Sequence, residues 1–320
     1  MSGTPIHWLN RLSGQNRIAV KRDDLFPVSF GGNKARKGVL FFEEIKKQGA
    51  NCVITYGSRS SNHCRVIANL AAAAGLPCGI VTPSEEDQET ANSRMVHLMG
   101  ARYICCKLEE VSEIIEGTLD NLRKAGKRPY FIAGGGHGNI GTQALVEAYA
   151  EILTWEAEHD LRFDYIFLAS GTGTTQAGLL CGQMMAGRLE QRIVGISIAR
   201  PLPRGRDVVI QSVRDYLDSV GKADSYREEL VEFETEYLCG GYGKVNDGIR
   251  ETISRALCLE GLPLCGTYTG KAFWGMEQYL MTRGIKGKNV LFLHTGGTPL
   301  FFDDLKELSY EHFDSQRRDT

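Results

Sequence analysis

Short apolar runs alternate with longer segments of helical periodicity along nearly the whole chain. Each run is rich in β-branched or aromatic residues and is short enough to be buried on both faces. These runs predict the strands Cys52–Tyr56, Cys78–Thr82, Tyr103–Cys106, Tyr130–Ala133, Tyr165–Ala169, Ile193–Ile198 and Val290–His294. Strands separated by helices in this way are typical of βαβ units. The pattern therefore predicts an α/β fold with parallel sheets and helices on both faces.

Helical periodicity is clearest in three segments, Asn62–Ala74, Thr142–Trp155 and Asn246–Leu259. Gly75 follows the first segment, as is common at the C-terminus of a helix. No repeat or proline-rich linker divides the chain. The clearest irregular insertion is Arg200–Asp207, which is either a domain boundary or a long loop within one domain.

With 320 residues and 35.4 kDa, the chain is long enough for two domains of about 100–200 residues each. Its 37 basic and 39 acidic residues are scattered, so it lacks the basic stripe typical of nucleic-acid binding. No run approaches the roughly 18 apolar residues of a membrane helix, and the first residues lack the apolar core of a signal peptide. We therefore expect a soluble, cytoplasmic protein without a nucleic-acid or membrane partner.

The nine cysteines are dispersed, odd in number and without a C-x-x-C pair, so we expect reduced thiols. Cys64, Cys105, Cys106 and Cys181 lie in helix-like or strand-like runs, and we interpret them as small buried hydrophobic residues. The seven histidines show no recognised metal-ligand spacing. The sequence therefore predicts no metal site.

Two glycines precede a predicted helix that begins near Asn33, and Lys34 would lie in its first turn. A cation at that position is unfavourable to the helix dipole, so helix stability does not explain it. Arg36 and Lys37 lie close by, which favours a solvated basic turn when this segment is taken alone. The alternative is an amine held near a bound cofactor, where partial desolvation would lower its pKa and permit Schiff-base chemistry.

Two polar loops follow predicted strands, where open α/β sheets bind their ligands. In the segment of residues 55–65, helix capping by Ser61 or Asn62 accounts for one residue but not for the density of hydroxyl, amide and imidazole groups, so capping and ligand binding both stay open. The loop of residues 171–175 reads G-T-G-T-T, a pattern of glycines and hydroxyls that favours a phosphate-binding nest at a helix N-terminus. It is not a nucleotide P-loop, because G-x-x-x-x-G-K-[ST] is absent.

Three other turns are ambiguous. Gly136–Gly141 matches G-x-G-x-x-G, but the acidic residue that a dinucleotide site needs after the next strand is missing, so we interpret it as a glycine-rich ligand loop without a dinucleotide. The hydroxyl-rich turns at 266–272 and 295–299 are ordinary when each is taken alone. Tyr242 is either a packed aromatic residue or a ring that lies against a ligand.

Five motifs occur in the order G-G-N-K-x-R-K, S-N-H-x-R, G-T-G-T-T, Y-T-G-K-A and H-T-G-G. Together they resemble the pyridoxal-phosphate enzymes of the 1-aminocyclopropane-1-carboxylate deaminase and D-cysteine desulfhydrase family, from about Pro5 to Pro299. The resemblance implies the fold of the tryptophan synthase β subunit, a homodimer, and pyridoxal 5'-phosphate in the cleft between two domains. The larger domain would comprise residues 1–47 and 160–320, and the smaller inserted domain residues 48–159.

The resemblance also implies a role for each motif residue. The catalytic residues would be Lys34, which forms the Schiff base with the cofactor, Ser61 and Tyr268. The cofactor would contact Lys34, Lys37, Asn62, Gly171, Thr172, Gly173, Thr174, Thr175, Thr269 and Thr295. The substrate would contact Arg59, Ser61, Asn62, His63, Tyr242 and Tyr268. In this arrangement Asn62 binds the ring hydroxyl of the cofactor, residues 171–175 hold its phosphate, and Ser61 lies near the substrate carboxylate.

Thr269 and Thr295 distinguish this chain from family members that open the cyclopropane ring, which resemble Y-E-G-K and H-L-G-G there. Neutral hydroxyls leave the pyridine nitrogen unprotonated and the cofactor a weaker electron sink, which suits β-elimination. We expect Lys34 to remove the Cα proton of a β-substituted, D-cysteine-like amino acid. The β-substituent then leaves, and the aminoacrylate hydrolyses to pyruvate and ammonia.

β-Replacement and 1-aminocyclopropane-1-carboxylate deaminase chemistry are the alternatives on the same scaffold. A non-catalytic sensor is disfavoured, because a binding module does not need the amine of Lys34. Three departures from the family pattern bear on the substrate. Arg59 could supply a charge for an acidic substrate such as a sulfonate-bearing amino acid. His137 lies in a segment that is usually G-S-N-like, and Thr174 stands where glycine is usual.

Overall fold

The computed structural model describes residues 3–83 and 89–308. Its strands, in chain order, are β1 (Ile6–Trp8), β2 (Arg17–Lys21), β3 (Cys52–Tyr56), β4 (Cys78–Pro83), β5 (Arg102–Cys106), β6 (Pro129–Ile132), β7 (Tyr165–Ser170), β8 (Arg192–Ser197), β9 (Glu232–Glu234) and β10 (Asn289–Leu293). They form a six-stranded sheet in the order β1-β2-β10-β7-β8-β9 and a four-stranded sheet in the order β5-β4-β3-β6. All neighbouring strands are parallel except β1 and β2.

The helices connect these strands and cover the sheets. They are α1 (Asn33–Gln48), α2 (Asn62–Ala73), α3 (Ala91–Leu98), α4 (Val111–Lys124), α5 (Asn139–Glu158), α6 (Thr174–Met185), α7 (Arg204–Ser219), α8 (Asp247–Glu260), α9 (Thr269–Thr282) and α10 (Thr298–Asp304). In the described ranges, no helix has the length and apolarity needed to span a bilayer.

The predicted α/β class is confirmed. Every strand and helix predicted from the periodicity is present, and the predicted helix near Asn33 begins at that residue. The prediction of an irregular insertion over Arg200–Asp207 is wrong in its second half, because α7 begins at Arg204. Strands β1, β2 and β9 were not predicted; β1 and β9 have only three residues each and lie at the sheet edges.

Helix α5 packs with the larger sheet. Its residues Leu145, Ala148 and Ile152 are fully buried and share an apolar cluster with Ile166 of β7 and Leu180 of α6. The predicted smaller domain of residues 48–159 contains α5, so this packing favours a domain limit before the helix rather than after it.

A buried ion network fixes α1 against the larger sheet. The guanidinium of Arg36 is 2.8 Å from Asp23 through Nε and 2.7 Å from Glu151 through Nη2. Nζ of Lys21 lies 2.5 Å from the same carboxylate of Glu151. Burial opposes ionisation of Glu151, but hydrogen bonds and charge from Arg36 and Lys21 hold its pKa below the usual value. The network therefore joins β2, α1 and α5.

None of the nine cysteines, all of which lie in the described ranges, forms a disulfide bond. Cys64, Cys106 and Cys181 are buried, as predicted, whereas Cys105 is exposed and its predicted burial is wrong. The reason is that β5 is an edge strand of the smaller sheet, and successive side chains of a strand point to opposite faces.

Candidate active site

A cavity of about 590 Å³ lies between the two sheets, at the carboxyl ends of β3, β6, β7, β8 and β10. The predicted site residues that line it are Lys34, Ser61, Asn62, His63, Gly171, Thr172, Gly173, Thr175, Tyr242, Tyr268 and Thr295. The predicted site residues outside its lining are Lys37, Arg59, Thr174 and Thr269. The fold thus brings all five motifs to one cleft.

Two loops that are far apart in the sequence meet backbone to backbone beneath Lys34. The N–H of Asn33 donates to the carbonyl oxygen of Thr295 at 3.0 Å. A Cβ at Gly32 would lie 2.6 Å from that oxygen, and a Cβ at Gly296 would lie 2.7 Å from Cα of Gly32. Gly32 also has a φ of +93°, which other residues rarely adopt. Glycine is therefore required on both sides of this contact.

Lys34 and Lys37 lie on one face of α1, because they are three residues apart. Nζ of Lys34 donates to the carbonyl oxygen of Gly135 at 3.0 Å, and Nζ of Lys37 reaches the same oxygen at 3.4 Å. Burial lowers the pKa of Lys34 to about 8. Burial, followed by the charge of Lys34, lowers the pKa of Lys37 well below its usual value. Such an environment favours a neutral, nucleophilic amine at Lys34.

Ser61 is the N-cap of α2, which confirms the capping interpretation. Its Oγ accepts hydrogen bonds from the backbone N–H groups of His63 at 3.1 Å and Cys64 at 3.4 Å. Because Ser61 also lines the cavity and Oγ acts as the acceptor in both bonds, its own hydroxyl proton can be donated to a ligand.

The side chain of Asn62 is held in one orientation. Its Oδ1 accepts from Nη1 of Arg65 at 2.6 Å and from Nδ2 of Asn92 at 3.0 Å. Arg65 in turn donates to the carbonyl oxygen of Ser29 at 3.0 Å. Burial lowers the pKa of Arg65 to about 10, so this residue is still cationic at neutral pH. With its oxygen engaged, Asn62 offers its Nδ2 as a donor at the cavity.

His63 lines the cavity, but its Nε2 is bound within the smaller sheet. This nitrogen lies 2.8 Å from Oγ1 of Thr55, whose hydroxyl donates to the carbonyl oxygen of Ile132 at 2.7 Å. The proton of that pair must therefore belong to Nε2. Burial, followed by the charges of Lys34 and Lys37, lowers the pKa of His63 well below its usual value. His63 is therefore a neutral ring in the cavity wall whose Nε2 bonds Thr55, and its contact with the substrate stays a prediction.

Residues 171–175 form the turn between β7 and α6. Gly173 has a φ of +87° and is the N-cap of α6, with no side-chain cap. Oγ1 of Thr175 accepts from Nδ2 of Asn33 at 2.8 Å, and Oγ1 of Thr174 is 3.0 Å from Nδ1 of His137. Thr174 is fully buried, and its hydroxyl contacts His137, which does line the cavity. Backbone N–H groups at an uncapped helix start are suited to binding phosphate.

Tyr242 and Tyr268 form a pair at one wall of the cavity, with their hydroxyl oxygens 2.5 Å apart. Burial, with a contribution from Tyr242, raises the pKa of Tyr268 well above its usual value, so its hydroxyl stays protonated. Nζ of Lys271 donates to the carbonyl oxygens of Leu238 at 3.0 Å and Gly241 at 2.7 Å. The lysine of Y-T-G-K-A thereby positions the loop that carries Tyr242.

Thr269 requires a correction. It is fully buried, and its Oγ1 accepts from the N–H of Cys265 at 2.9 Å. The hydroxyl also lies 3.6 Å from Sγ of Cys265, so it stabilises its own turn and is not available to a ligand in the cavity. Thr295 is the hydroxyl residue of this pair that lines the cavity.

Arg59 also requires a correction. Its guanidinium lies 5.2 Å from the ring centre of Tyr103, and Nη2 is 3.6 Å from Sγ of Cys105. Both partners belong to edge strand β5, so Arg59 packs on the smaller sheet and does not line the cavity. The arginine that does line it is Arg200, which follows β8.

The sequence matches the family described as "Pyridoxal-phosphate dependent enzyme" over residues 1–296. The chain belongs to this family of pyridoxal-phosphate dependent enzymes. It is 31% identical to the D-cysteine desulfhydrase of Klebsiella pneumoniae over 314 residues, which cover 93% of each protein. A solved structure of an ACC deaminase homologue matches with a TM-score of 0.86 at 31% identity, covering 96% of this chain and 93% of the other. O-ureido-L-serine synthase, at 18% identity and a TM-score of 0.68, covers 98% and 96% and shares the fold.

The cavity of this pyridoxal-phosphate dependent enzyme has groups suited to each part of its cofactor. The uncapped start of α6 would hold the phosphate, and Nδ2 of Asn62 would meet the ring hydroxyl. Lys34 would bond the aldehyde carbon, and Thr295 would meet the pyridine nitrogen. Among the described residues, no carboxylate lines the cavity, which suits a dianionic ligand.

Sequence reasoning missed Tyr56, Gly135 and Arg200, all of which line the cavity. Tyr56 was placed at the end of a strand and in the polar segment 55–65 without a role of its own, and Gly135 lies next to the glycine-rich segment that was noted. The signal available for Arg200 was its position directly after a strand, where ligand-binding loops of α/β sheets begin.

Proposed function

We propose that this enzyme catalyses α,β-elimination from a β-substituted, D-cysteine-like amino acid, releasing pyruvate, ammonia and the β-substituent. The observation that carries the proposal is the neutral environment at Thr295: among the described residues, no carboxylate lines the cavity. Pyridoxal phosphate with an unprotonated pyridine nitrogen supplies moderate stabilisation of a carbanion at Cα. That chemistry is sufficient when a good leaving group departs from Cβ at once.

The substrate carboxylate is held by Ser61 in this proposal. Ser61 can donate its hydroxyl proton, and the backbone N–H groups at the start of α2 favour an anion. Asn62 binds the ring hydroxyl through Nδ2, because its oxygen is engaged by Arg65 and Asn92. These contacts orient the Cα–H bond toward Lys34.

Two residues accept or orient protons. Lys34, with its pKa lowered to about 8 by burial, accepts the Cα proton on Nζ once that amine is neutral. Tyr268 holds its hydroxyl proton, because burial raises its pKa, and orients that proton as a hydrogen bond to the departing β-substituent. Tyr242, 2.5 Å away, supplies the second member of this hydrogen-bonded pair.

The test is pyruvate release from a panel of D- and L-amino acids with different β-substituents, with and without added thiols or amines. Release from at least one amino acid without a second substrate is expected. Product formation only when a nucleophile is added would instead identify a β-replacement enzyme. Ring opening of 1-aminocyclopropane-1-carboxylate, measured as 2-oxobutanoate, would identify the deaminase reaction.

We also propose that the enzyme is a cytoplasmic homodimer, as its family resemblance implies. A mass of about twice the 35.4 kDa of the chain is expected in light scattering of the purified protein. A monomer mass would contradict this part of the proposal.

A further inference from the structure

Arg200 is a cation in the cavity wall whose side chain has no hydrogen-bond or ion-pair partner among the described residues. It lines the cavity directly after β8, yet its Nη1 is shielded from water and forms no hydrogen bond with a described residue. No carboxylate in residues 3–83 or 89–308 forms an ion pair with it, in contrast to Arg36. Burial and the charge of Arg204 lower the pKa of Arg200. A partly buried guanidinium whose Nη1 is shielded from water and unbonded is expected to gain from an anionic ligand.

The side chain of Arg200 is not needed to hold its own segment in place. Its backbone is already fixed by Ser197, whose Oγ accepts from the N–H of Arg200 at 3.1 Å and donates to its carbonyl oxygen at 2.7 Å. The side chain is therefore free of a local structural task, while its Cβ packs against the start of α7 near Gly205.

The cofactor phosphate has donors of its own. The uncapped start of α6 supplies backbone N–H groups after β7. Arg200 follows β8, which adjoins β7 on the side away from β10. Thr295, which would meet the pyridine ring, follows β10. Arg200 and Thr295 therefore flank the phosphate turn in the wall of one cavity, and the phosphate has backbone donors without Arg200.

We propose that Arg200 binds an oxyanion on the β-substituent of the substrate, so that this enzyme prefers amino acids with a sulfonate, sulfinate or carboxylate group there. The inference rests on the proposed amino-acid substrate. It assigns to Arg200 the charge-recognising role that the sequence suggested for Arg59, whose guanidinium packs against Tyr103. His137, whose pKa is lowered by burial and by the charges of Lys37 and Arg200, lies in the same electrostatic environment.

The test compares two ligands of similar shape and different charge, 3-sulfoalanine and S-methylcysteine sulfone, each as both enantiomers. Affinity for the holoenzyme is measured by calorimetry and by the change in cofactor absorbance, so that turnover is not needed. The wild type is expected to bind the sulfonate about 10- to 100-fold more tightly than the neutral sulfone. Arg200→Gln is expected to abolish that preference and leave sulfone affinity unchanged, whereas Arg200→Lys retains part of it.

Arg204→Gln is the matched control, since it removes a positive charge from the same segment at an exposed residue that does not line the cavity. Arg204→Gln should keep the preference for the sulfonate over the sulfone. The inference is overturned if the wild type does not prefer the sulfonate or if Arg200→Gln keeps that preference. It is also overturned if Arg200→Gln loses the cofactor while it still prefers the sulfonate, which would assign Arg200 to the phosphate. Binding of both ligands without pyruvate release from any amino acid would reject the elimination reaction and leave the role of Arg200 standing.

Discussion

The two faces of α1 carry cations in opposite circumstances. Arg36 points into the larger sheet and is neutralised by Asp23 and Glu151. Lys34 and Lys37 point the other way and share one carbonyl oxygen, with no carboxylate among their described partners. A cation that belongs to the scaffold has its counter-charge within the fold, whereas Lys34 and Lys37 have a lowered pKa, and Lys34, which lines the cavity, is suited to a ligand.

The largest effect is expected at Lys34. Lys34→Ala should abolish the visible absorbance of the bound cofactor and lower turnover by at least about 10³-fold, because both the nucleophile and the proton acceptor are removed. The free energy of unfolding should not fall, because a desolvated amine is removed. Lys47→Ala, an exposed lysine of the same helix, is the control. A Lys34→Ala protein with band and turnover intact would falsify the proposed mechanism.

Substitution on the opposite face of α1 should instead lower the free energy of unfolding. Arg36→Met leaves Asp23 and Glu151 without their partner and should lower the free energy of unfolding by about 3–5 kcal/mol, measured by denaturant titration. Arg123→Met, at an exposed pair with Asp120, should change it by less than about 1 kcal/mol. Equal stability of the two variants would contradict a structural role for the network.

The pH dependence of cofactor attachment should reveal the lowered pKa of Lys34. Only the neutral amine reacts, so attachment to cofactor-free protein, followed by visible absorbance, should accelerate as pH rises and level off above about 8. Between about pH 6 and about pH 9 the neutral fraction increases roughly 90-fold for such a group. A midpoint near the ordinary value of about 10.4 for lysine would contradict desolvation of this amine.

A smaller effect is expected at the residue that orients Asn62. Arg65→Lys keeps a positive charge but loses the geometry that engages Oδ1 of Asn62, so cofactor affinity should fall by about tenfold. The absorbance maximum of the bound cofactor should shift as well, which a purely structural loss would not cause. Arg94→Lys, at an exposed site, should change neither quantity.

The smallest effect is expected at Arg59. Because its side chain packs over Tyr103 and does not line the cavity, Arg59→Gln should change kcat/KM by no more than about twofold for neutral and anionic substrates alike. A selective loss with anionic substrates would return the charge-recognising role to Arg59 and contradict the contrast with Arg200.

Much of this fold could be predicted because its parallel strands are buried on both faces. Such strands read as continuous apolar runs, and β3, β7 and β10 are found within a residue or so of their predicted bounds. Strand β2 was missed because it ends in Lys21, a charged residue that is fully buried and paired with Glu151 at 2.5 Å. That partner comes from a distant helix, which local periodicity cannot reveal.

The candidate site likewise contains residues that could be identified from the sequence and residues that could not. Residues whose chemistry depends on the backbone, such as the turn at 171–175 and the glycine beside Lys34, could be identified from the motifs. Side-chain direction could not, because it is decided by tertiary packing: Arg59 turns to β5, and Thr269 turns to Cys265. Arg200 reaches the cleft although no motif contains it.

The glycine contact between residues 32 and 296 has a consequence for biosynthesis. During synthesis Lys34 emerges long before Gly296, the residue against which its loop rests, and β2 pairs with β10 in the same sheet. In the proposed mechanism the vitamin-derived group is therefore captured only after residue 296 has been translated, and a product truncated before β10 is expected to lack it.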